Sequence, residues 1–344
     1  MPPEIVDALE AGRTGITRTQ LEAVAHALTL ESRALAQGRE VLRQQPSVFL
    51  RHRGMQDFRD DDLPVLDEAL EQGRILHELG QLLGEPYAPW SEQRSNAPHD
   101  KSETAAHDGY RLATDLRRHL GKPTQPFEDL RATVEGTLGV AVLVRRLSVR
   151  GACAVIAGDA GAIVLDAATY ADTPVWAQST IAHELCHVLN DPAEQGVNIV
   201  LDPEEDRSAH ANEQRARAYA AELLLPKPGL QGLLGLPASI GETHAAIDLV
   251  QRAMVHFGTS WEMTANHLCN RGFVARELRV WLEARHAQPT PSTWPLRLPG
   301  RGRPSVLVAA RAERAHEASL ITDGEARSIL GLSVLSPLPW EREW

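Results

Sequence analysis

Between residues 139 and 167 a chain otherwise dominated by helical spacing turns β-branched. "GVAVLVRRL" (139–147), "ACAVIAG" (152–158) and "GAIVLDA" (161–167) are three short apolar runs, each of strand length. The "GDAG" between the second and third suits a tight hairpin, because Gly and Asp tolerate the backbone such turns need. A helix near 127–136 leads into the runs. "ADTPVW" follows them and opens another helix, with Asp172 or Thr173 as cap and Pro174 in its first turn. The expected fold class is therefore α+β: a small mixed or antiparallel sheet packed on the helix that starts near 174, between mainly helical N- and C-terminal regions.

The flanks carry helical periodicity. Leu21, Val24, Ala25 and Leu28 form one stripe; Leu66, Leu70, Ile75, Leu79 and Leu82 form another within 63–83. "GEPYAPWSEQRSNAPHD" (84–100) reads as a linker, and a short helix follows at about 106–120. Beyond the central helix, an acidic loop precedes an alanine-rich helix at about 208–225, which Pro226 ends. Further helices are expected at 241–257 and 260–285, the latter opened by a capping box in "TSWE" (259–262). A Pro-rich connector, "QPTPSTWPLRLPGRGRP", leads to one or two short helices over 305–332. The expected organisation is a helical region (1–85), a linker with a short helix (86–126), a catalytic domain (127–286) and a C-terminal connector with short helices (287–344).

A chain of 344 residues is long enough for two or three packed units. Its net charge of -11 argues against the whole surface coating a phosphate backbone. Cys153, Cys186 and Cys269 are too few and too scattered for a disulfide framework or a cysteine-based zinc site. The N-terminus lacks a basic patch followed by an apolar run, and no apolar stretch is long enough to span a bilayer. These features point to the cytoplasm and away from a membrane.

The chemistry concentrates in "TIAHELCHVLN" (180–190). Histidines at i and i+4 share a helical face, so His183 and His187 can reach one ion. Glu184, one position on, stands beside that ion as a base for the water at its open coordination position. The expected cofactor is Zn2+, with Mn2+ as the alternative ion. The chain contains its own control: "LHELGQLLG" (76–84) places Gln81 where a second histidine would stand, and His77 reads as a decoy on a structural helix. A third ligand is offered by "ANEQRARAYAAELLLP" (211–226), where Glu213 shares a face with Ala209, Ala216 and Ala220. Those small side chains would allow a close approach to the histidine helix.

"TIAHELCH" followed by "EQRARAYAAELLLP" resembles the ImmA/IrrE metallo-endopeptidases. That family pairs an HELGH helix with one reading roughly E-x-x-A-N-x-F-A-x-x-L-L-M-P. The resemblance covers about 127–285. It implies metal binding by His183, His187 and Glu213 and catalysis by Glu184, while Ala216, Tyr219 and Leu223 to Pro226 fall on the rest of the motif. Cys186 replaces the glycine, Arg217 the asparagine, and Asp191 stands where many members carry a further histidine. The resemblance further implies cleavage of a cognate helix-turn-helix transcriptional repressor, relieving repression under stress such as DNA damage, or in mobile-element or phage defence. Residues 3–30 are similar to the second half of a repressor-type helix-turn-helix domain. The first helices that would brace it are missing, so a packing or dimerisation element is as good a reading as DNA contact.

Several residues carry a sharper and a blander reading. Cys186 reads first as a small packed residue and second as a redox or metal-linked control point. His210 is a further ligand or oxyanion candidate against a solvated helix start. The acidic loop 191–206 reads first as a solvated connection and second as part of a substrate cleft, "RLPGRGRP" (297–304) as a flexible tether rather than a nucleic-acid site, and Trp176, Trp261 and Trp281 as core. An exposed strand edge in 152–167 would let an extended substrate add by main-chain hydrogen bonds. The rival class for the whole chain is a non-catalytic metal-binding regulator or sensor.

Overall fold

The computed structural model describes residue 17 and residues 62–87, 104–148, 152–157, 160–170, 174–191, 198–201, 211–235, 239–284, 305–333 and 336–341. Apart from residue 17, the helix-turn-helix-like segment 3–30 lies outside the described residues, as do Asp172 and Thr173, the "GDAG" turn residues 158–159, His210 and the connector 297–304.

The β-branched runs form strands within a residue or two of the expected bounds: β1 (Val140–Arg145), β2 (Ala152–Ala157) and β3 (Ala160–Asp166). A fourth, β4 (Asn198–Leu201), comes from inside the acidic loop, which is therefore more than a solvated connection. The sheet order is β1-β3-β2-β4. β1 runs parallel to β3, whereas β2 is antiparallel to both β3 and β4, so the sheet is mixed. The β2–β3 pairing closes at Ala157 and Ala160, as a two-residue hairpin requires.

Alternation along the strands explains the layers. Val140, Val142, Val144, Ala152, Ala154, Ile163 and Leu165 face one hydrophobic core; Ala141, Leu143, Cys153, Val155, Ala162 and Val164 face another. Because both faces are covered, the strands are apolar without interruption. The first face packs on α2 (Ala105–His119), α3 (Leu130–Leu138), the histidine helix α4 (Pro174–Asn190) and α5 (Ala211–Leu224). The opposite face packs on α1 (Leu63–Leu82), α9 (Val306–Glu317) and α10 (Asp323–Ile329), numbered with the three helices that come before them. Those three are α6 (Lys227–Leu234), α7 (Thr243–Phe257) and α8 (Trp261–Asn270), which share a third core.

The helix expected over 260–285 is broken. After Asn270 the chain turns through Gly272 (φ 79°), a left-handed position that suits glycine, and a 3-10 turn at Arg276–Leu278 and a short helix at Arg279–Glu283 follow. The cap of α8 is Ser260, whose Oγ accepts from Met263 N–H at 3.2 Å, and not Thr259. Thr259 instead pairs its hydroxyl with that of Thr264 at 2.7 Å.

Neither strand of the 152–167 hairpin offers an edge: β3 lies between β1 and β2, and β2 between β3 and β4. The outer side of β1 is met by α3, where the Glu135 carboxylate accepts from Val142 N–H at 3.0 Å. Among the described residues, β1 and β4 are the two edge strands of the sheet.

Candidate metal centre

The histidine helix is positioned by its apolar residues. Ala177, Ile181, Ala182, Leu185, Cys186, Val188 and Leu189 are buried and anchor α4 in the core it shares with the sheet. α5 presents Ala216, Ala220 and Leu223 to that core, so two backbones approach closely with little side chain between them. Behind α5, Gly109 of α2 leaves no room for a β-carbon against the Arg215 carbonyl, which fixes how closely α2 braces α5.

The two helices bring His183, His187 and Glu213 together, all buried. The Nε2 atoms of the two imidazoles lie 3.2 Å apart. Glu213 places Oε2 3.2 Å from His183 Nε2 and Oε1 3.5 Å from His187 Nε2. Ligands bonded to one tetrahedral Zn2+ at its usual nitrogen and oxygen distances sit about 3.3 Å from one another. The donor chemistry fits as well. Asp191 Oδ2 lies 2.8 Å from His187 Nδ1, and a carboxylate can only accept, so Nδ1 carries the proton and Nε2 keeps its lone pair for the cluster. Arg215 in turn donates to Asp191 Oδ1. Two imidazole nitrogens and a carboxylate converging in a buried space call for a positive charge, which a divalent cation would supply.

Burial alone would raise the Glu213 carboxyl. The hydrogen bond with His183, the nearby imidazoles and the Arg217 guanidinium outweigh it and hold the group below its ordinary value. Glu184 is fully buried on the same helix, and after burial itself its charge is the next cause that pushes the Cys153 thiol of β2 upward. Burial likewise pushes the Cys186 thiol up to about 12, which favours a packed small residue over a control point.

Other candidates fall elsewhere. The His77 ring packs on Tyr87 with centroids 4.9 Å apart, Tyr87 lies under the Arg311 guanidinium, and His77 joins no metal-type cluster among the described residues. Trp261 is buried and Trp281 half-buried, but Trp176 is 53% exposed and is not core as expected. Asp191 and Arg215 were missed as parts of the site. The i,i+4 spacing of His187 and Asp191 was the available signal for the first.

The search of curated proteins finds no match to the chain. Residues 171–268 match the family model Peptidase_M78, described as the IrrE N-terminal-like domain. The matched segment starts at the head of α4 and ends in α8, and it contains the whole cluster. Residues 171–268, which hold the buried His–His–Glu cluster within an α+β fold, are thus similar to the IrrE N-terminal-like domain of Peptidase_M78.

Proposed function

We propose that the chain is a zinc-dependent endopeptidase of the cytoplasm, and that its substrate is a helix-turn-helix repressor whose cleavage relieves repression under stress. The observation that carries the hydrolytic reading is the mutual spacing of His183, His187 and Glu213, which matches one tetrahedral ion. That ion, when bound, supplies Lewis-acid chemistry, lowering the pKa of water and polarising a carbonyl. The chain's own groups do the rest. Glu184 accepts the proton of the attacking water and passes it to the leaving amine. Its complete burial keeps bulk water from competing for that proton. Asp191 fixes the tautomer and orientation of His187, and Arg215 fixes Asp191. The outer side of β4 suits an extended substrate, held by main-chain hydrogen bonds that are tolerant of sequence.

A reducing compartment agrees with three buried, unbridged cysteines. No helix among the described residues is long and apolar enough to cross a membrane. The repressor as substrate rests on the resemblance of the two helix motifs.

The test compares the zinc-loaded chain with its Glu184→Gln variant on a candidate helix-turn-helix repressor. The variant should keep its zinc, measured by mass spectrometry, and lose cleavage by about a hundredfold or more. Equal processing by both proteins would leave a metal-binding regulator as the better reading.

A further inference from the structure

On α4, Trp176, Thr180, His183 and His187 follow one another at spacings of four, three and four residues, so they share one stripe of the helix. Exposure falls steadily along it: Trp176 is 53% exposed, Thr180 half-buried, His183 8% and His187 0%. The stripe therefore opens to solvent toward the N-terminal end of α4, where an indole stands. A single exposed tryptophan is unremarkable on a protein surface. One in line with two buried imidazoles, in a helix otherwise anchored by its apolar residues, is different.

α5 supplies an independent observation. Arg217 lies one turn beyond Glu213 on the same side of α5. Its Nη2 is shut off from solvent and has no hydrogen-bond partner among the described residues. A buried donor of this kind calls for an acceptor.

We propose that Trp176 and Arg217 select the substrate: the site takes an extended peptide with a large apolar side chain about three residues from the scissile bond, which stacks on the Trp176 indole while Arg217 donates to a carbonyl of the intervening segment. The distance follows from helix and strand geometry. Seven residues of helix separate Trp176 from His183, about 10 Å along the axis, and an extended peptide covers that in about three residues. The indole offers a flat apolar face, so aromatic and long aliphatic side chains are favoured over charged ones. This inference rests on the endopeptidase reading above and adds to it a rule for which bonds are cut.

The experiment uses the zinc-loaded full-length chain and a mixed-sequence peptide library, with cleavage sites read by mass spectrometry. Cut peptides should be enriched in large apolar residues at about the third position on one side of the bond. Trp176→Ala should flatten that preference and lower kcat/KM about tenfold, mainly through KM, whereas Trp176→Phe should preserve it. Arg217→Gln should weaken all peptides alike without changing the preferred residue. A second readout needs no turnover. A labelled peptide from the cut set, titrated into zinc-loaded Glu184→Gln by fluorescence anisotropy, should bind about tenfold more weakly when Trp176→Ala is added. A cleavage profile and affinity unchanged by Trp176→Ala would overturn the selection rule and leave the endopeptidase reading standing. A zinc-loaded wild type that cuts no peptide and no repressor would bring down both.

Discussion

Asp191 accepts from the ring of one cluster histidine and is itself held by Arg215, so a buried chain of charge and hydrogen bonds ends at His187 Nε2. Asparagine in its place can turn an amide nitrogen toward Nδ1, favour the wrong tautomer and leave Arg215 without its carboxylate. Asp191→Asn should therefore weaken zinc binding by about ten- to a hundredfold, measured by competition with a chelating dye. An unchanged dissociation constant would mean that packing alone orients the ring. The cluster itself was legible because the rule is local. Histidines four apart on a helix must share a face, and an alanine-lined helix can bring a carboxylate close. Asp191 obeyed the same arithmetic, four residues after His187, but it was weighed only as a departure from a motif. Arg215 had no such signal, since its partner lies 24 residues away and is set by how α5 crosses α4. Trp176 departs from the expected core position because helical periodicity marks a face but not what covers it.

α5 carries a carboxylate at each end, and the second, Glu222, is 1% exposed. Burial alone would raise its pKa. The His267 hydrogen bond, the charges of His267 and Arg271 and the Lys227 N–H together outweigh burial and leave it lowered. A carboxylate with a depressed folded value adds stability above its unfolded value, and that stability is lost as pH falls through the folded one. Glu222→Gln should cost about 2 kcal/mol at neutral pH, and the gap from wild type should close as the pH drops below the ordinary carboxylate range. Urea unfolding at neutral and acidic pH reads this directly; a gap independent of pH would show that shape, and not charge, is what Glu222 contributes. At this scale three of the four strands were legible to within a residue or two, because three apolar runs between Gly and polar residues leave few alternatives, whereas β4 lay inside an acidic loop. The break after Asn270 was less so. Apolar spacing continues through Phe273 and Val274, which are buried in the same core as α8, so the pattern concealed the turn at Gly272.

The strands' uninterrupted apolar character already required cover on both faces of the sheet, which a single histidine helix cannot give. Helices from far apart in the chain, α1 from before the strands and α9 and α10 from near the C-terminus, together supply the second cover. The contact is close: a β-carbon on Gly73 of α1 would lie 2.5 Å from the Gly161 carbonyl oxygen of β3. Which segments would meet there is a matter of topology, and periodicity within each helix does not encode it. The same reasoning bears on the matched segment 171–268, which holds every member of the cluster yet lacks β1, β2 and β3, α2 and α3. In the whole chain α4 rests on β2 and β3, and α5 rests on α2. Expressed alone, the segment would expose Ile181, Leu185, Val188 and Leu189, each 4% exposed or less in the full structure, at a cost of about 2 kcal/mol apiece. That sum is comparable to the whole stability of a small domain. The isolated segment should show no cooperative thermal transition by circular dichroism and should bind zinc far more weakly than the full chain. A cooperative melt with full-strength zinc binding would mean that α4 and α5 hold each other in place without the sheet, and that the outer layers serve something other than the site.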